Sequence, residues 1–320
     1  MLLLIKYTLL YGIVLMLVAL GGMFSEHSGI INIALEGIMV IGGVAGVLTL
    51  TMLPADMSPF LVVLISVLVA ALAGMVYSLL LAFASINLKA DQTIGGTALN
   101  LLAPALALFF IKVFFMQDKL VMPKDIGFVI LNGDMNSVGR VFFDKAYVST
   151  YIAAGLFVVL SIFMYKTKYG LRIRACGEHP QAADSVGINV YKMRYLGTTI
   201  SGALAGMGGY IYIATVAGGT CEGTVAGMGF LALAIMIFGN WKPLGIALGS
   251  LLFGLLKCIG PTYSFLDING DGICALKELN MPMYFYNIIP YVAVLVVLAF
   301  TSKKSRAPKA EGIPYDKGAR

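Results

Sequence analysis

The sequence predicts an all-α polytopic membrane protein with about eight or nine transmembrane helices, some of them broken, and one short helix in a cytoplasmic loop. Three observations predict it. Apolar residues make up 59% of the 320 positions and charged residues only 12%, against about 25% charged in an ordinary soluble domain. Mean hydropathy is +0.91. The apolar residues also gather into stretches long enough to cross roughly 30 Å of hydrocarbon, at 7–24, 30–53, 59–85, 93–115, 147–166, 195–217, 225–240, 243–260 and 284–301.

Each stretch has its own signature. The first is followed by Ser25-Glu26-His27 and not by a small-residue cleavage site, so it reads as a retained span and not a removed signal. The second begins with polar residues, and the stretch at 225–240 is short. Two Gly-rich, polar-interrupted segments, Ser25–Gly37 and Gly218–Gly229, occupy roughly matching places in the two halves. Broken helices so placed point to a central pathway at a repeat interface. Small residues recur four apart at Gly42/Gly46, Gly202/Gly206, Ala205/Gly209, Gly245/Gly249 and Ser250/Gly254. That spacing lets helix backbones approach closely, and it is read as packing.

Charge fixes the orientation. The net charge is +6, and 12 of the 22 Lys and Arg fall within 166–194 and 303–320. Such clustering follows the positive-inside rule and fits anionic lipid headgroups, not nucleic acid. The membrane domain is therefore 1–301, with a cytoplasmic loop at 167–194, external loops at 116–146 and 261–283, and a basic cytoplasmic tail at 302–320. Nine spans would place the N-terminus outside; a re-entrant segment would reverse that end alone. Cys176, Cys221, Cys258 and Cys274 show no paired spacing and predict neither disulfide nor zinc.

Catalytic constellations are missing from the sequence. It holds two histidines, His27 and His179, and no HExxH, GxSxG or P-loop pattern. No catalytic residue or catalytic cofactor is expected, so the chain is not read as an enzyme, and its energy must come from a partner or an ion gradient. Polar groups inside spans are costly and face a pathway or a partner helix. Asn32, Glu36, Asn100 and Asn287 are the candidates, with Glu222 near an outer helix end. For Glu36 the two readings are a hydrogen bond to a neighbouring helix backbone and direct contact with a solute.

The segment Tyr169–Gly197 is the most informative. Pro180 suits a first helical turn, where its missing N–H costs nothing. Gln181, Ala182, Ala183, Asp184 and Ser185 continue the helix, and Gly187 suits the left-handed terminating position. A helix under two turns long is unstable alone in water, so it makes sense as a peg in another protein's groove. Gly177-Glu178-His179-Pro180-Gln181-Ala182-Ala183-Asp184-Ser185-Val186-Gly187-Ile188, followed by Ser201–Gly209, resembles the coupling region and next helix of ABC importer permeases of the ribose, branched-chain amino acid and nucleoside family. Phe24–Gly37 resembles the early signature of the nucleoside and simple-sugar branch, and Gly229–Gly254 is similar in the same way. His179 stands where that family is expected to have Asn.

The resemblance implies a permease that forms half of a translocation pathway and works by alternating access in the bacterial inner membrane. Its implied partners are a second, paralogous permease, two cytosolic ATP-binding subunits and an extracytoplasmic substrate-binding protein. Residues 177–187 would be the lever that the ATPases press. The solute would be a nucleoside, a simple sugar or riboflavin. The competing class is a secondary transporter driven by an ion gradient with Glu36 as its proton site; such a protein has no use for a docking helix near 180.

A second motif lies in the external loop 261–283. Asp267, Asn269 and Asp271, a glycine at 272, the Ile273 carbonyl and Glu278 resemble the twelve-residue EF-hand loop, whose oxygens bind Ca²⁺. Pro261 and Pro282 leave little room for flanking helices.

Overall fold

The computed structural model describes residues 2–54, 56–122, 147–263, 281–301 and 306–318. Its helices are α1 (Leu2–His27), α2 (Leu35–Met52), α3 (Pro59–Ile86), α4 (Gln92–Phe115), α5 (Val148–Lys166), α6 (Lys168–Glu178), α7 (Pro180–Ser185), α8 (Val190–Thr215), α9 (Met228–Phe238), α10 (Pro243–Thr262) and α11 (Met283–Thr301). All nine apolar stretches are helical over most of their length. Among the described residues six helices, α1 to α5 and α10, are long and apolar enough to cross a membrane. The chain is a multi-pass membrane protein.

Local chemistry sets the helix ends. Ser58, Asp91, Thr167 and Asn189 each accept a backbone N–H from the first turn of α3, α4, α6 and α8. α1 ends in a C-cap turn in which Ile30 N–H donates to the Ser25 carbonyl at 3.2 Å and Gly29 takes a φ of +95°.

α8 is the central helix, packing against α1, α2 and α3 through small residues. Its Gly206 lies between Gly42 of α2 and Gly74 of α3; a Cβ on Gly42 would come within 2.2 Å of the Gly206 Cα. Gly254 of α10 packs on Gly12 of α1, where a Cβ would meet the Gly12 N at 2.8 Å. The four-residue spacings thus serve helix crossings, where dispersion replaces the hydrophobic effect.

The basic loop 167–189 marks one end of the molecule. His27 lies there, because a Cβ on Gly177 would meet the His27 carbonyl at 2.2 Å. Leu2 is therefore at the opposite end. From His27 the chain climbs irregularly through 28–34, and only then does α2 begin and run away from the basic end. At the far end the chain reverses after Thr215. There β2 (Thr220–Cys221) pairs antiparallel with β1 (Leu120–Val121), a short ribbon the sequence did not announce. Residues 222–227 descend beside α4, where Gly223 lies against Pro104 and Ala107, and α9 then runs back towards the basic end. The two interrupted segments enter from opposite ends and meet. With 11 residues, α9 is about 16 Å long, half the hydrocarbon thickness.

Candidate functional site

The meeting point is built by Glu36, in the first turn of α2. Its Oε1 accepts the Gly227 N–H at 2.8 Å and its Oε2 the Gly229 N–H at 2.6 Å. Gly227 is the N-cap of α9, has a φ of +75° and offers no side chain. A helix start with unpaired N–H groups and a positive dipole end favours an anion, and a carboxylate from another helix fills that role. Of the two readings of Glu36, the backbone hydrogen bond is the one observed.

Asn100 of α4 brackets the other side of the break. Its Oδ1 accepts the Gly37 N–H at 2.8 Å and its Nδ2 donates to the Ile33 carbonyl at 2.9 Å. Asn32 is fully buried; its Nδ2 donates to Ser201 Oγ at 2.8 Å, while its Oδ1 has no hydrogen-bond partner among the described residues. Asn287 stands apart, with its Oδ1 packed over Gly260 of α10. The first three thus share one neighbourhood and the fourth does not.

Lys257 and Tyr291 belong to the same neighbourhood and were missed in the sequence reading. Lys257 Nζ lies 2.9 Å from Tyr291 Oη, which itself donates to the Ala226 carbonyl at 2.9 Å. The Lys257 ammonium is also an electrostatic neighbour of Glu36. A lysine inside the predicted span 243–260 was a readable signal of equal cost to Glu36.

At the basic end, α7 has the expected form. Pro180 occupies its first turn, and Gly187 has a φ of +82°. Pro180 and Ala183 are buried, whereas Glu178, His179, Gln181, Ala182, Ser185 and Gly187 are exposed and Asp184 is half-buried. Gly177 is buried against α1. A groove of about 510 Å³ beside α7 is lined by Asp184, Asn189, Tyr191 and Lys317, among others. Burial pushes the Cys176 thiol up to about 11, so it is neutral and inert.

The tail packs across this same end. Ala310 N–H donates to the Gly177 carbonyl at 2.8 Å, Gly312 N–H to the Gly29 carbonyl at 3.3 Å, and Arg194 Nη2 to the Ile313 carbonyl at 3.0 Å. Tyr315 is buried with Cys176, Ala183 and Val190. Asp316 pairs with Lys89 at 2.7 Å. The Glu311 carboxyl faces Glu26, which accepts the Trp241 indole N–H. Burial pushes Glu311 up to about 7, against the contact with Glu26, which lowers it.

No group of three or more metal-ligating side chains occurs among the described residues. The candidate calcium ligands Asp267, Asn269, Asp271, Ile273 and Glu278 lie outside the described residues.

The family model described as branched-chain amino acid transport system / permease component matches residues 4–299. The chain belongs to that permease family. The permease is 40% identical over 314 residues to the nucleoside ABC transporter permease protein NupC of Lactococcus lactis subsp. cremoris, covering 97% of this chain and 95% of that protein. It is 38% identical to the guanosine ABC transporter permease protein NupQ of Bacillus subtilis, covering 98% and 96%. It is 29% identical to the putative glucose ABC transporter permease protein TsgC13 of Haloferax volcanii, covering 90% and 88%. No solved structure matches. Membership of an ABC permease family replaces the ion-gradient alternative.

Proposed function

We propose that this permease is one membrane half of an ATP-driven importer in the bacterial inner membrane and that its solute is a nucleoside. The observation that carries the solute class is the full-length likeness to two nucleoside permeases, at 40% and 38% identity, against 29% for the glucose relative. ATP-binding and substrate-binding partners are implied by the family. A paralogous second permease is part of the proposal, as is the docking of ATPase subunits on α7. That docking is supported by the exposed face of Gln181, Ala182 and Ser185.

In this reading Glu36, Asn32 and Asn100 hold the break beside the pathway, and Lys257 with Tyr291 offers the polar groups that a nucleoside's hydroxyls and base can meet. Deleting the gene is expected to abolish high-affinity uptake of radiolabelled guanosine or adenosine and to leave glucose and ribose uptake intact. The reverse pattern would move the permease to the sugar branch.

A separate proposal concerns the loop 267–278, which is read as a weak Ca²⁺ site on the ligand pattern of its sequence. Terbium luminescence of the purified permease is expected to fall with Glu278→Gln. Equal luminescence in both proteins would remove the site.

A further inference from the structure

The tail touches too many elements, at too particular a set of positions, to be a solvated extension. It bonds to the last turn of α6 at Gly177 and to the break after α1 at Gly29. It also bonds to α8 at Arg194 and to the α3–α4 connection at Lys89. Arg194 is 1% exposed, and its Nη2 hydrogen bond goes to the tail carbonyl of Ile313. A buried guanidinium needs such an acceptor. Tyr315 buries its ring between α6, α7 and α8, 5.4 Å from the Tyr191 ring in an edge-to-face pair. Gly312, with a φ of +76°, brings the backbone down onto Ile31. The strap therefore has one end on the face of α7 that looks away from the exposed surface, and its middle on the irregular segment that leads to Glu36.

We propose that Arg306–Gly318 is a connecting strap that carries displacement of α7 to the break at 28–34, with Tyr315 as the positioning residue at the α7 end. This rests on the reading of α7 as the ATPase seat. Energetic coupling needs packed, hydrogen-bonded elements that move together, and the strap provides one between these two places. A tail with a merely structural role would change how much transporter assembles. A coupling strap changes how much solute moves per ATP hydrolysed.

The experiment uses the complete transporter in proteoliposomes, with uptake and ATP hydrolysis measured on the same assembled fraction. Tyr315→Ala is expected to lower solute moved per ATP at least fivefold while hydrolysis persists. An unchanged ratio overturns the proposal. Should Tyr315→Ala not assemble, Asp316→Lys is the second variant, because its side chain is half-exposed and its loss spares the fold. It is expected to lower the ratio about threefold, and Lys89→Asp combined with Asp316→Lys to restore it. No change in the first, or no recovery in the second, overturns the proposal equally. Ala182→Arg, on the exposed face of α7, tests the docking reading separately through co-purification of the ATPase subunits. Retention of those subunits would fault that reading and leave the strap measurements interpretable.

Discussion

A carboxylate inside a membrane-spanning region is costly unless donors meet it, and Glu36 meets two at the uncapped start of α9. Glu36→Ala is expected to orphan the Gly227 and Gly229 N–H groups and to cost about 1–3 kcal/mol, read as a lower melting midpoint in detergent. Glu36→Gln, which keeps one acceptor, should cost less; an equal loss for both would reject the capping role. Gly206 supplies a second residue-scale test. A Cβ there would sit 2.3 Å from the Ala70 carbonyl oxygen, a backbone atom, whereas one on Gly155 meets nothing within 4 Å. Gly206→Ala is expected to destabilise by about 1–3 kcal/mol, and Gly155→Ala to be neutral or slightly stabilising; similar midpoints for the two would deny that α8 is crossed through Gly206. The need for a partner at Glu36 was legible in the sequence. The partner was not, because it lies 191 residues away and is a backbone group that no side-chain pattern announces.

Elements were legible wherever their cause is local. Pro180 and Gly187 bound α7 through φ preferences that any reader of the sequence can apply, and both hold. The strap is held by carbonyls and rings from four distant elements, so its composition alone announced only basic charge. Its contact at Glu311 makes a prediction. Glu311, facing Glu26 of α1 with the Trp241 indole beside it, is pushed up to about 7 by burial. A carboxyl raised above its free value holds its proton longer in the docked state, so docking is strongest near and below pH 4.5, weakens as pH rises from there to about 7, and is level above. A nitroxide on Lys317→Cys is expected to gain mobility as pH rises from 4.5 to about 7. Glu311→Gln should remove that change; a pH response that survives the substitution would assign it to another group.

At the scale of the whole molecule, hydropathy identified the membrane-spanning stretches because burial in lipid demands them. It could not tell a full crossing from a half crossing, since α9 is as apolar as its neighbours and only its length of 11 residues sets it apart. The Gly-rich interruptions pointed to broken helices in both halves, whereas their entry from opposite ends and their mutual contact came from the fold. α2 and α9 abut by their N-termini, and their joint is a clasp of two hydrogen bonds from Glu36 and no peptide link. Such a joint can flex without unwinding either helix. The penalty is the strain on that clasp, on the order of a few kcal/mol, well below the cost of melting a helical turn exposed to lipid.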